Sequence, residues 1–125
     1  MKITNLIQIR KIISRHADKK ISTALAYKMM KFMKASDNDE AFYNEKIREI
    51  IEKYGEKDEN GQIVCIESGV SLVQTTIDEC KSKIYELDGT EIDVPNIKFS
   101  LAELEQLKLS MNELFIIDEL IEGGG

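Results

Sequence analysis

The sequence predicts an α+β fold that is mainly helical: a long N-terminal helical hairpin, a small β-hairpin or short sheet, and short C-terminal helices. Three observations lead there. Apolar residues recur at three- and four-residue steps from Ile3 to Ile13 and again from Ile21 to Tyr54, the spacing of one helix face. An Asn60-Gly61 turn signal precedes the β-branched run Ile63-Val64-Cys65-Ile66. Near the C-terminus, Ser100/Glu103 and Ser110/Glu113 each place a serine three residues before a glutamate, so that the two side chains can satisfy each other's exposed backbone N–H groups at a helix start.

Taken in order, Ile3, Leu6, Ile7, Ile9, Ile12 and Ile13 form the stripe of a first helix, from about Asn5 to His16, which Asp18-Lys19-Lys20 interrupts. The stretch from Ile21 to Tyr54 reads as one long helix. Its weak point is Ser36-Asp37-Asn38-Asp39, a run rich in capping residues, but the phase Phe32, Ala35, Asp39, Phe42 survives across it. The expected result is an unbroken helix with an exposed polar middle. A helix that long carries more apolar surface than a small chain covers alone, so pairing with a second copy is expected. Gly55 then ends it in the left-handed conformation of a C-terminal cap. Lys57 to Gly61 is a polar turn and Ile63 to Ile66 a short strand. From Ser71, the residues Leu72, Val73, Ile77, Cys80, Ile84 and Leu87 return to helical steps and predict a third helix to about Glu86. Thr90 to Val94 alternates like a half-buried strand, which Pro95 limits, and Asn96 to Phe99 continues extended. Two short helices begin at Ser100 and Ser110, the second with Leu114, Ile117, Leu120 and Ile121 on its apolar face. Gly123-Gly124-Gly125 reads as a frayed end or an expression remnant.

Length and composition narrow the function. With 125 residues, 42% hydrophobic and 32% charged, the expectation is one domain over residues 1–125, too short for separate cofactor and substrate domains. No apolar run approaches a membrane span and the N-terminus lacks a secretory pattern, so action in the cytoplasm is expected. Cys65 and Cys80 fall short of a disulfide framework. The net charge of -6 is strongly polarised. Met1 to Tyr54 carries nine Lys and three Arg against seven acids, whereas Gly55 to Gly125 carries five Lys against sixteen acids. A basic helical hairpin (1–54) therefore precedes an acidic α+β portion (55–125). Within the basic part, Arg10, Arg15, Lys28, Lys31 and Lys34 are the candidate ligand or partner contacts. The plainer reading is a solvated face that pairs with the acidic half of the same chain or of a second copy. Nucleic acid is a poor fit to an acidic domain.

Candidates for chemistry are few. Glu56 to Glu67 matches the oxygen-ligand spacing of a calcium loop, with Glu56, Asp58, Asn60 and Glu67 at ligand places, Gly61 at the sharp turn and Ile63 at the aliphatic place. Its first ligand is Glu rather than the shorter Asp and no second loop exists, so a helix cap leading through an Asn-Gly turn into a strand is favoured. His16 is the single histidine and sits where capping of a helix C-terminus explains it. Two isolated cysteines and one histidine make neither a nucleophile pair at local spacing nor a four-ligand zinc set. No catalytic residue, metal ligand or cofactor is therefore assigned. Met29, Met30, Phe32, Met33 and Met111 suit either a core or an adaptable groove.

The order of a basic helical hairpin, then EKYGEKDENG from Glu52 to Gly61, then EIDVPNIKFSLAELEQLKLSMNELFIIDELIE from Glu91 to Glu122, resembles small proteins of phages and prophages of Gram-positive, especially clostridial, hosts. The resemblance spans most of the chain, Gly69 to Leu87 least. Its motifs are structural and supply no catalytic residues. It implies a viral gene expressed in a bacterial cytoplasm. The expected function is then a non-enzymatic binding protein that inhibits or sequesters a host component of antiviral defence, with a host or phage protein as partner. Two other classes stand beside it: an oligomeric sponge that captures a nucleotide signal through the basic N-terminal helices, and a virion or tail-assembly accessory.

Overall fold

Isoleucine and leucine at six positions of the first helix decide where the molecule has its inside. Helix α1 (Ile3–Arg15) buries Ile3, Leu6, Ile7, Ile9, Ile12 and Ile13, and with them Arg10. The computed structural model describes residues 1–66, 69–73 and 76–123. After a short turn, helix α2 (Thr23–Tyr54) runs unbroken for 32 residues, about 48 Å at the rise of an α-helix. Ser22 caps it, its hydroxyl accepting from the Leu25 N–H. Leu25, Met29 and Phe32 enter the core, which answers where Met29 and Phe32 point; Phe42, by contrast, is 45% exposed. α1 and α2 pack together as the expected helical hairpin.

The polar middle of α2 is exposed at Asp37 and Asn38, as expected, but not at Ser36. Ser36 is fully buried and donates to the Phe32 carbonyl at 2.8 Å, which lets a hydroxyl stay inside the helix without an unmet bond. The helix survives Ser36-Asp37-Asn38-Asp39 because α1 supplies the partner for that run.

Beyond Tyr54 the chain departs from the expected elements in four places. Gly55 is extended, with φ -72° and ψ 141°, not left-handed, and its N–H bonds the Ile51 carbonyl at 2.8 Å. The turn at Lys57 to Ile63 is as expected: Asp58 Oδ1 accepts from the Asn60 and Gln62 N–H groups, and Gly61 takes φ +77°. The strand is shorter than Ile63 to Ile66; β1 (Cys65–Ile66) pairs antiparallel with β2 (Gly69–Val70). Ser71, Leu72 and Val73 are extended rather than helical, because tertiary bonds claim their backbone: Glu56 N–H to the Ser71 carbonyl at 2.7 Å and Val73 N–H to the Tyr54 carbonyl at 3.0 Å. Helix α3 consequently begins late, at Ile77, and runs to Asp88. Thr90 to Val94 forms no strand; the alternation serves one bridge, Lys2 with Glu91, and a bond from the Ile92 N–H to the Met1 carbonyl.

The C-terminal helices are where the serine–glutamate spacing puts them. Both α4 (Leu101–Glu105) and α5 (Met111–Ile117) carry complete capping boxes, at Ser100/Glu103 and Ser110/Glu113. A 3-10 turn, Asp118–Leu120, follows, and Phe99 and Ile121 form a parallel bridge that closes the unit. Leu104, Leu107, Ile117, Leu120 and Phe99 complete the core around Leu6, Ile9 and Phe32.

Two tyrosines fasten α2 to α3. Tyr43 donates to Asp88 Oδ1 at 2.7 Å and Tyr54 to Glu79 Oε1 at 2.8 Å. Burial, and after it the bond to Asp88, pushes the Tyr43 hydroxyl from its ordinary 10 up to about 12. A hydroxyl whose pKa is higher folded than unfolded stabilises the fold fully below pH 10 and ceases to do so as the pH rises through 12. Denaturant titrations should therefore show stability flat up to about pH 10, then falling by about 2 kcal/mol once screening of this half-buried group is allowed for. Tyr43→Phe should flatten that fall; an unchanged profile in the variant would remove Tyr43 as its source.

Candidate functional site

Arg10 is the most constrained of the candidate contacts. It lies on the buried side of α1 with its side chain 7% exposed. All five of its N–H donors are used. Nε–H donates to Glu40 Oε2 at 2.9 Å, Nη1 to the Met33 carbonyl at 2.7 Å and to Ser36 Oγ at 2.6 Å, and Nη2 to Asp37 Oδ1 at 2.9 Å and Glu40 Oε1 at 3.2 Å. Burial works against the cation, and the bonds to Glu40 and Asp37 outweigh it, so the charge is held. Arg10 is thus a clasp between α1 and α2 with no donor left for a ligand.

Lys28 is committed too. Its ammonium donates to the Lys98 carbonyl at 2.9 Å and to Glu103 Oε1 at 2.8 Å, and the bond to Lys28 is the main reason the Glu103 carboxyl sits below its ordinary pKa. Lys19 donates to the Leu107 carbonyl at 2.6 Å, while Ser22 and Gln106 exchange two bonds. The basic half therefore clamps the acidic half at α4. At α5, Glu113 faces His16 Nε2 at 3.3 Å and Arg15 at 3.7 Å. Its carboxyl is lowered chiefly by the backbone N–H of Ser110. Arg15 is 64% exposed and lines a shallow cleft of about 420 Å³ with Arg10, Lys11, Ser14 and Glu40. Lys31 lies over the Tyr27 ring at 5.5 Å. Lys34 is exposed, nine residues from Leu25 and so on the opposite side of α2. The five candidates do not converge on one pocket: Arg10 and Arg15 share the cleft, Lys28 points to α4, and Lys31 and Lys34 face outward.

The remaining candidates for chemistry stand apart. His16 is held by Glu113, Cys65 is exposed on β1 and Cys80 is buried in α3. In the calcium-like loop, Asp58 accepts from the Asn60 and Gln62 N–H groups and Glu56 from the Ser71 hydroxyl at 2.8 Å, while Glu67 lies outside the described residues. Among the described residues no group of His, Cys, Asp and Glu could hold a metal ion, and no helix is long and apolar enough to cross a membrane.

Two apolar features remain. Met29, Met30 and Met33 line a groove of about 240 Å³ with Ile13, Ala17 and Ile21, with Met29 itself buried in the core. On the C-terminal unit, Leu101, Met111 and Phe115 are 63%, 70% and 72% exposed. Leu101 borders a groove of about 320 Å³ between α4 and α5, and Phe115 stands beside Asn5, Gln8 and Glu119. Sequence reading named Met111 but missed Phe115 and Leu101, although the first left a signal: Met111 and Phe115 are four residues apart and out of phase with Leu114, Ile117 and Ile121. No protein-family model, curated protein or solved structure matches this chain.

Proposed function

We propose that this chain is a non-enzymatic binding protein of phage or prophage origin that acts in the host cytoplasm by covering, and so blocking, a host protein of antiviral defence. One observation carries the reading, the exposed apolar pair Met111 and Phe115 on α5. Single exposed apolar side chains are ordinary, whereas Met111 and Phe115, 70% and 72% exposed and one turn apart on a helix held by its capping box and by the contact of Glu113 with His16, form a preorganised contact pair. Both signs of charge border the cleft that Phe115 lines, Lys2 with Glu91 and Glu119, so the partner surface it suits is apolar with a mixed polar rim. The phage origin rests on the motifs from Glu52 to Gly61 and from Glu91 to Glu122.

The sponge reading has less support, because Arg10 has no free donor and Lys28 is turned to α4. Affinity capture from host lysate, run with wild type and Phe115→Asp, tests the proposal. Phe115 is 72% exposed, so the variant should keep its circular dichroism. Loss of a central aromatic contact should weaken capture by about thirtyfold or more. Capture that is indifferent to Phe115→Asp overturns the assigned face. A mass gain of a few hundred daltons in native mass spectrometry, on the order of one nucleotide ligand, would favour the sponge instead.

A further inference from the structure

The outward side of α2 reads the same in both directions. Tyr27, Lys31, Lys34, Asn38, Phe42, Glu45 and Glu49 are all exposed, and they follow one another at steps of four, three, four, four, three and four residues. That is the spacing of one helix stripe, centred on Asn38 and turned away from buried Leu25, Met29, Phe32 and Ser36. Its charge reverses at the centre. From Thr23 to Ser36, α2 holds three lysines and no acid, whereas from Asp37 to Tyr54 it holds six acids against three bases. Of the three large hydrophobic residues that α2 exposes, Tyr27, Met30 and Phe42, two lie on this stripe.

We infer that α2 pairs antiparallel with α2 of a second copy of this chain, across a two-fold axis at Asn38. Symmetry then fixes every partner. Lys31 meets Glu45 of the other copy, Lys34 meets the ring of Phe42, Tyr27 places its hydroxyl at Glu49, and Asn38 meets Asn38, an amide that both donates and accepts. Each of the first three contacts occurs twice along a seam of about 33 Å. A parallel pairing would instead stack Lys31 on Lys31 and Glu45 on Glu45, which charge repulsion disfavours. Within one chain these groups make only short-range surface contacts: Lys31 over Tyr27, Lys46 over Phe42 at 5.8 Å, Glu49 with Lys46 at 3.4 Å, and Glu45 with Arg48. Such exposed pairs are worth little and exchange readily for contacts across the seam. This inference is independent of the exposed pair Met111 and Phe115, which lies on α5.

A seam this polar gives a moderate, salt-sensitive dimer. Light scattering and sedimentation should find about twice the 14.3 kDa chain mass at tens of micromolar, on the order of a transient interface, and a shift toward monomer as salt screens the seam. Lys31→Glu should raise the dissociation constant about tenfold or more, and Lys31→Glu with Glu45→Lys should restore dimerisation by reversing both signs. In a Cys65→Ser background, Asn38→Cys on the axis should oxidise to a covalent dimer, whereas Ser82→Cys, exposed on α3, should not. A wild type that stays monomeric at about a millimolar overturns the inference. So does a double variant that fails to restore dimers, or cross-linking at Ser82→Cys as fast as at Asn38→Cys. Lys31→Glu alters an exposed side chain with no ion pair among the described residues, so its effect is read on a folded protein.

Discussion

Arg10→Ala should destabilise the protein by about 2–3 kcal/mol, the upper part of the range for leaving a buried polar group without its partner, since Asp37 and Glu40 are 64% and 38% exposed and can be rehydrated. The loss has little to do with attraction between exposed charges. Removing the guanidinium takes a second donor from the Met33 carbonyl and leaves the fully buried Ser36 hydroxyl without its donor, and it leaves Glu40 and Asp37 without the cation between them. Arg10→Lys should recover only part of the stability, since an ammonium has three donors and no planar fork to reach both carboxylates and the helix backbone together. The matched control is Arg15→Ala, whose side chain is 64% exposed and whose nearest carboxylate oxygen is 3.7 Å away; it should stay within about 0.5 kcal/mol of wild type. Urea denaturation of the four proteins measures this directly. If Arg10→Ala and Arg15→Ala came out alike, Arg10 would be a surface charge and the clasp would not exist.

That contrast also marks how far the sequence could be read. Charge counting put Arg10, Arg15, Lys28, Lys31 and Lys34 in one basic cluster, because counting ignores helical phase. Phase separates them. Arg10 is three residues from Ile7 and from Ile13, inside the apolar stripe, and a cation inside such a stripe asks for a buried partner. The partner was visible as Ser36-Asp37 with Glu40 on the second helix, but no local rule joins positions thirty residues apart. The helices themselves were legible because periodicity and capping are local: α2 ends at Tyr54 as its pattern says, and both capping boxes form. Elements decided by tertiary bonds were not. Leu72 and Val73 have helical spacing to Ile77 and Cys80, yet Tyr54 and Glu56 take their backbone into an extended segment. Thr90 to Val94 alternates like a strand, yet the partner it meets is the N-terminus of α1, where the chain has already begun to coil.

The same reasoning explains why the charge polarity along the chain yields no single cationic site. Lys19, Lys28 and His16 reach from the N-terminal half to Leu107, Glu103 and Glu113, so part of the basic half serves to hold α4 and α5, helices of five and seven residues that are too short to persist alone. What those tethers leave over is spatially divided. Lys31 and Lys34 lie on the outward stripe of α2, Lys11 and Arg15 lie along α1, and Lys46, Arg48 and Lys53 lie toward the C-terminal end of α2. The tether from His16 to Glu113 holds the helix that carries Phe115, which connects the charge pattern to the proposed contact pair without requiring the cations to touch a ligand.

Gly55→Ala should destabilise by about 2–3 kcal/mol, as expected for forcing a methyl group into filled space. The reason is not backbone freedom, since φ -72° and ψ 141° suit any residue. A Cβ at this position would stand 2.6 Å from the Ile51 carbonyl oxygen and 3.2 Å from both Ile63 Cδ1 and Val70 Cγ1. The two side chains can yield; the carbonyl cannot, because it belongs to the last turn of α2 and accepts the Gly55 N–H at 2.8 Å. Relief must therefore come from the chain leaving α2, which strains the bonds from Glu56 N–H to Ser71 and from Val64 N–H to Glu56 that tie the β-hairpin to the helix end. Gly61 provides the comparison. It has φ +77° and nothing within 4 Å of a built Cβ, so Gly61→Ala should cost about 1 kcal/mol, through backbone strain alone. Thermal or urea unfolding ranks the pair, and amide exchange should show faster opening at Glu56, Val64 and Ser71 in Gly55→Ala only. Equal losses at the two glycines, or the larger loss at Gly61, would mean that α2 hands over to the hairpin with room to spare.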